Sequence, residues 1–250
     1  MGCDIHMWVE RRESEGAPWV LAAPEWQCSW CSGSGLELQG LQACFWCEGA
    51  KTERQFAVRN YNLFAMLAGM RNGIDKTGDG YEPIAEPRGM PDDLSVELLE
   101  HMQRCLHQDY CARRGEPRSH AIAWPGEHSG SWLRLDEVLD YFERPHPAAQ
   151  HQGWIALEQL QAYLDAGRGR PMNWCSGVDG YAVRKVPLSQ ARQLLACKSV
   201  DDRSSYYTLV TWTCTYRDDA GSTFIEHFLP ACRGLAARPS DVRLVFNFDS

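Results

Sequence analysis

Four of the eleven cysteines stand in one short stretch, CSWCSGSGLELQGLQACFWCEGAK, as two C-x-x-C pairs. Cys28 and Cys31 are followed after twelve residues by Cys44 and Cys47. Two thiolates separated by two residues occupy one tight turn and can share a metal, and two such turns complete the tetrahedral four-sulfur shell that Zn2+ prefers. Gly33 and Gly49 follow the second cysteine of each pair, where a backbone free to curl can aim amides at the sulfurs. A shell closed by four cysteines has no open coordination position, so a structural Zn2+ is expected. The competing account is four unrelated buried cysteines. Trp30 and Trp46, one inside each pair, could instead present an aromatic face to a partner.

A second chemical constellation starts at the opening strand. In CDIHMWVE, Asp4 and His6 share one strand face opposite Ile5, Met7 and Val9. EHSGSWLRLDEVLDYF places His128, Ser129 and Ser131 in a Gly-containing turn ahead of a helix, where free N–H groups attract anions. His6 and His128 would act as general acid/base groups or metal ligands, with Asp4 orienting or ligating, and a second divalent metal could sit at Asp4 and His6. Arg59 and Asn60 at a helix N-terminus, Arg88 in a Pro-Arg-Gly turn, and Ser129 with Ser131 are the candidate substrate-binding residues. For each arginine the plain alternative is a surface charge.

Other motifs fail on inspection. Asp4-Ile5-His6 matches the D-x-H opening of metallophosphoesterases, but the later G-D and G-N-H-D/E elements are missing in order. Asp75 to Glu86 approaches a calcium loop, yet Thr77 replaces a carboxylate or amide and Pro87 opposes an exiting helix. There is no G-x-S-x-G, H-E-x-x-H or Walker loop.

The elements that must position these residues read as α+β: one domain spanning 1–250, with a mixed or antiparallel sheet, several helices and a zinc-binding insertion at 25–52. The first strand turns through ESEGAP into WVLAA as a hairpin. A core helix is expected from Asn60 to Gly73, with Leu63, Phe64, Met66, Leu67 and Met70 wrapping most of it. Further helices are expected at 93–113, 135–143 and 155–166, and ERPHPAAQHQG between the last two reads as a linker. YYTLVTWTCTY, a turn at RDDAGS and TFIEHFL read as a long hairpin, and DVRLVFNFD as a closing strand.

Composition narrows the setting. The 250 residues can bury a core without disulfides. The odd cysteine count with paired spacing fits metal ligation in a reducing cytoplasm. The first ten residues lack an apolar leader segment, no run approaches a membrane span, and His6 stands where a myristoylation motif needs Ser or Thr. A net charge of −8 repels a phosphate backbone, which speaks against nucleic acid as a partner.

Two resemblances follow from these residues. C-x-x-C-x-G-x-G at Cys28 to Gly35 resembles one repeat of the cysteine-rich region of J-domain chaperones, with the last glycine missing from the second repeat, CFWCEGAK. MGCDIHMWVE, RNYNLFAMLAGMRNG, PIAEPRGMPDD, HSGSWLRLDE and VRLVFNFD together resemble a family of bacteriophage-encoded proteins that open with Met-Gly-Cys-Asp-Ile-His. The second resemblance implies a phage accessory protein acting in the bacterial host cytoplasm and implies no particular activity. The expectation is then an enzyme, a hydrolase or transferase on a phosphorylated or nucleotide-like small molecule. Its rival is a non-catalytic counter-defence protein that sequesters a nucleotide signal or blocks a host protein.

Overall fold

The structure, a computed structural model, describes residues 5–28, 31–36, 42–44, 49–53, 56–73, 80–106, 128–197 and 203–248. Its strands are β1 (Ile5–Arg11), β2 (Val20–Ala22), β3 (Trp26–Gln27), β4 (Thr52–Glu53), β5 (Phe56–Val58), β6 (His128–Arg134), β7 (Ala149–Ala156), β8 (Arg184–Lys185), β9 (Tyr206–Cys214) and β10 (Val242–Phe248). Its helices are α1 (Tyr61–Ala68), α2 (Val96–Leu106), α3 (Leu135–Glu143), α4 (Leu157–Asp165), α5 (Leu188–Ala196), α6 (Tyr216–Ala220) and α7 (Leu229–Arg233), with a π-helical turn at Thr223–Phe228 before the last. The fold is α+β. Contacts cluster into two compact units, one of Met1–Met70, Glu82–Arg144 and Ala220–Ser250, the other of Arg71–Tyr81 and Pro145–Asp219. Among the described residues, no helix is long and apolar enough to cross a membrane.

The first unit is built on an antiparallel sheet ordered β2-β1-β10-β6, with β5 also paired to β1. Alternation puts Ile5, Met7 and Val9 on a fully buried face, as their spacing requires. That face packs α1, where Phe64 meets Phe248 at 5.2 Å between ring centroids. Residues Leu63 to Ala68 are all buried, so α1 is the core helix its composition promises. Asn60 caps it by accepting the Leu63 N–H at 3.1 Å. The helix stops at Gly69 and not at Gly73, because Gly69 already takes the left-handed conformation (φ 68°) and closes the last turn on Ala65.

The other sheet face carries a buried cation. Arg243 donates to Glu10 at 2.7 Å and to Asp93 at 2.6 Å, beneath the ring of Trp19. Glu10 in turn accepts the Ser95 N–H at 2.7 Å, tying the start of α2 to β1. Leu98 and Met102 of α2 then close over Val245. The described helix begins at Val96, three residues later than the pattern suggests, because Asp93 and Ser95 are used as anchors.

The second unit is a three-stranded sheet ordered β7-β9-β8, with β7 antiparallel and β8 parallel to β9. Two expectations fail, one in each unit. Residues 149–153, expected as linker, and 155–156, expected to open a helix, belong to β7: Ala149, His151, Gly153 and Ile155 alternate inward, a period-two pattern hidden by small and polar residues. TFIEHFL, expected as the second arm of a hairpin, is helical. Phe224, Ile225, Phe228 and Leu229 recur at helical spacing, and the Leu229 N–H reaches back five residues to Phe224 O. The strand that pairs with β9 is therefore β7. Ile155, Leu160, Val210 and Trp212 form the core of this unit under α4 and α5.

Candidate metal centre

The arm between β3 and β4 is pinned at its base before any metal is considered. Trp26 pairs with Glu53 across the two short strands, and Cys28 N–H donates to Lys51 O at 2.9 Å. The Trp26 ring is buried edge-on against Phe228, 5.4 Å away, within an aromatic cluster completed by Phe56 and Phe224. Further out, Leu36 bridges Ala43, and Cys44 N–H donates to Gly35 O at 2.9 Å.

These pairings bring the cysteines together. One sulfur each from Cys28, Cys31 and Cys44 lies within 4.8 Å of the other two, and Cys28 Sγ stands 3.9 Å from Cys44 Sγ. A disulfide would need about 2.05 Å. Four sulfurs at about 2.3 Å from a tetrahedral metal lie roughly 3.8 Å apart. The observed separation matches the metal shell. Cys28 and Cys44 are fully buried and Cys31 is half-buried. The expected amide-to-sulfur contact is also present, from Gly35 N–H to Cys31 Sγ at 3.2 Å. Gly35 has φ 78°, and a Cβ there would stand 2.9 Å from Gly49 O, so glycine is required twice over. Cys47, Trp30 and Trp46 lie outside the described residues.

The residues assigned to an anion site are distributed differently. Asp4 lies outside the described residues, as do residues 75–79 of the calcium-like segment 75–86. His6 is half-buried on β1, its ring stacked on Trp8 and its backbone paired with Asn247 and Ala57. His128 opens β6 opposite Phe248. Ser129 has φ 55° at the irregularity of β6 that shifts the register between Phe246 and Phe248. Ser131 is buried, and its hydroxyl accepts the Arg88 N–H at 3.0 Å.

Arg88 itself grips Glu137 with both guanidinium arms, at 2.9 and 2.7 Å, and lies over Trp132. Burial works against ionisation of Glu137, but hydrogen bonds from Arg88 and the Arg134 N–H outweigh it and hold the carboxyl below its usual range. Arg59 is exposed just ahead of the α1 cap, while Asn60 spends its carbonyl on that cap and its amide on Ala220 O.

A further cluster, in the second unit, was not anticipated: His151, Cys214 and Asp219, all buried, offer ligand atoms within 4.8 Å of one another. His151 is far in sequence from the other two and falls in the stretch taken for linker. The one usable signal is a histidine at an inward position of the alternating AQHQGWIA. Cys214 is no activated nucleophile, since burial and then Asp219 push its thiol up to about 11.

Compared with models of known protein families, with curated proteins and with solved structures, the chain matches none. The likenesses to phage proteins and to J-domain knuckles therefore rest on the residues quoted for them.

Proposed function

We propose that this chain is a zinc protein in which Cys28, Cys31, Cys44 and Cys47 hold one Zn2+ that folds the 25–52 arm. The observation that carries the reading is the three-sulfur cluster with its 3.9 Å Cys28–Cys44 spacing. Cys47 supplies the fourth sulfur by sequence spacing alone. Four thiolates fill the tetrahedral shell, so the ion contributes folding free energy and no open site for turnover. The arm then acts as a rigid presenting element, which favours binding over catalysis as its work.

Phosphoryl or nucleotide chemistry at the opening strand would require Arg88 to leave Glu137 and Asn60 to leave its cap, each at a cost in hydrogen bonds. For that reason the zinc reading takes precedence over the small-molecule enzyme. Metal analysis of protein purified without chelator tests it. The arm's ion should be retained through dialysis and lost in Cys31→Ser, whose fold elsewhere persists; a Cys31→Ser chain with undiminished zinc would overturn the assignment.

A further inference from the structure

His151, Cys214 and Asp219 come from β7, the end of β9 and α6, all within the second unit. Asp219 Oδ2 is 2.8 Å from His151 Nε2 and accepts the Tyr81 hydroxyl at 2.6 Å. The His151 and Asp219 side chains are 2% and 1% exposed, and Cys214 is 7% exposed. Trp212 stacks on the His151 ring at 5.6 Å and closes that side. A thiol is a weak hydrogen-bond donor and adds little to a carboxylate already served by a phenol and an imidazole. What nitrogen, sulfur and carboxylate oxygen do share is affinity for a borderline divalent metal.

We propose that His151, Cys214 and Asp219 form a second metal site, for Zn2+ or a similar divalent transition ion, independent of the cysteine arm. The His151 ring coordinates neutral, Asp219 as carboxylate, and Cys214 as thiolate after releasing its proton to solvent. The ion's two positive charges are thereby cancelled by one carboxylate and one thiolate, which suits burial. The nitrogen-to-oxygen distance opens from 2.8 Å to roughly 3.3 Å around a tetrahedral ion with bonds near 2.0 Å. Tyr81 stays on the carboxylate as the outer partner that orients it, the role such hydrogen bonds play around metal ligands. The ion joins both long strands of this sheet to the helix that follows β9.

The test is zinc per chain in the full-length protein after loading with Zn2+ and exhaustive dialysis. Wild type should hold two ions, Cys31→Ser one, Cys214→Ser one and His151→Gln one. His151→Gln keeps a polar group of similar reach, and circular dichroism confirms which variants are folded. Wild type holding a single ion that Cys31→Ser removes would overturn the second site, as would Cys214→Ser and His151→Gln both keeping two. A single ion lost with Cys214→Ser but kept by Cys31→Ser would instead support this site and overturn the arm.

Discussion

The cysteine arm and the His151 cluster set similar ligand chemistry into two different kinds of support. In the arm, described ligands sit within a span of 28–44 and are brought together by a bridge, a few turn hydrogen bonds and glycines at positive φ. In the second unit the ligands are 63 and 5 residues apart along the chain (214 − 151 and 219 − 214); His151 and Cys214 are fixed by eight paired positions between β7 and β9, and Asp219 by the helix that follows. The first site has little apolar packing of its own beyond its cysteines, whereas the second lies at the edge of a core containing Trp212, Val210 and Ile155. Metal should therefore be needed to fold the arm, and the second unit should be folded with or without its ion.

That contrast breaks most severely at the aromatic anchor. Phe228 touches Trp26, Phe56 and Phe224, joining the arm's base to the rest of the first unit. Phe228→Ala should cost about 3–5 kcal/mol of global stability, the usual range for emptying a buried aromatic site, read from denaturant midpoints. A loss confined to the arm would mean that the anchor belongs to the arm and not to the core.

Gly35→Ala sharpens the difference on a smaller scale. A Cβ at φ 78° and 2.9 Å from Gly49 O should destabilise the arm locally by about 1–2 kcal/mol and weaken zinc retention. The second unit should keep its hydrogen-exchange protection unchanged. Global unfolding at the wild-type midpoint, with faster zinc loss to a chelator, is the expected pair of readings.

Legibility followed the same division. The arm was readable because metal-ligand spacing is a local property, and β1, α1, α3 and β10 were readable because each shows its period over its own length. Residues 149–156 were not, since glycine and glutamines in β7 hide an alternation that only the pairing with β9 makes meaningful. TFIEHFL was misread because phenylalanine and isoleucine favour strands, while its apolar positions follow a helical repeat that packs on Phe56 and Phe142. His151, Cys214 and Asp219 have no spacing to read. Arg88, Asn60 and Ser131 were recognisable as special residues, but their partners, Glu137, Ala220 and the Arg88 backbone, are tertiary.

Smaller effects are expected at the half-exposed ion pairs. Arg88→Ala should cost no more than about 1 kcal/mol, because solvent screens the Glu137 pair. Glu137 and Asp93 both ionise more readily in the folded chain: burial opposes this in each, and the hydrogen bonds of Arg88 or Arg243 prevail. A depressed carboxyl pKa adds stability above the unfolded value, about 4, and that stability is lost as pH falls through the folded value. Melting temperature should be flat from pH 7 to about 5 and decline below about 4, with a shallower decline in Arg88→Ala.

Hydrogen exchange across the whole chain, with zinc bound and after its removal by chelation, tests the central claim most directly. The account predicts that amides of residues 25–53 lose protection on zinc removal, while β1, β10 and α1 keep theirs. Equal protection of the arm in both states would show that the four cysteines are not a metal clasp.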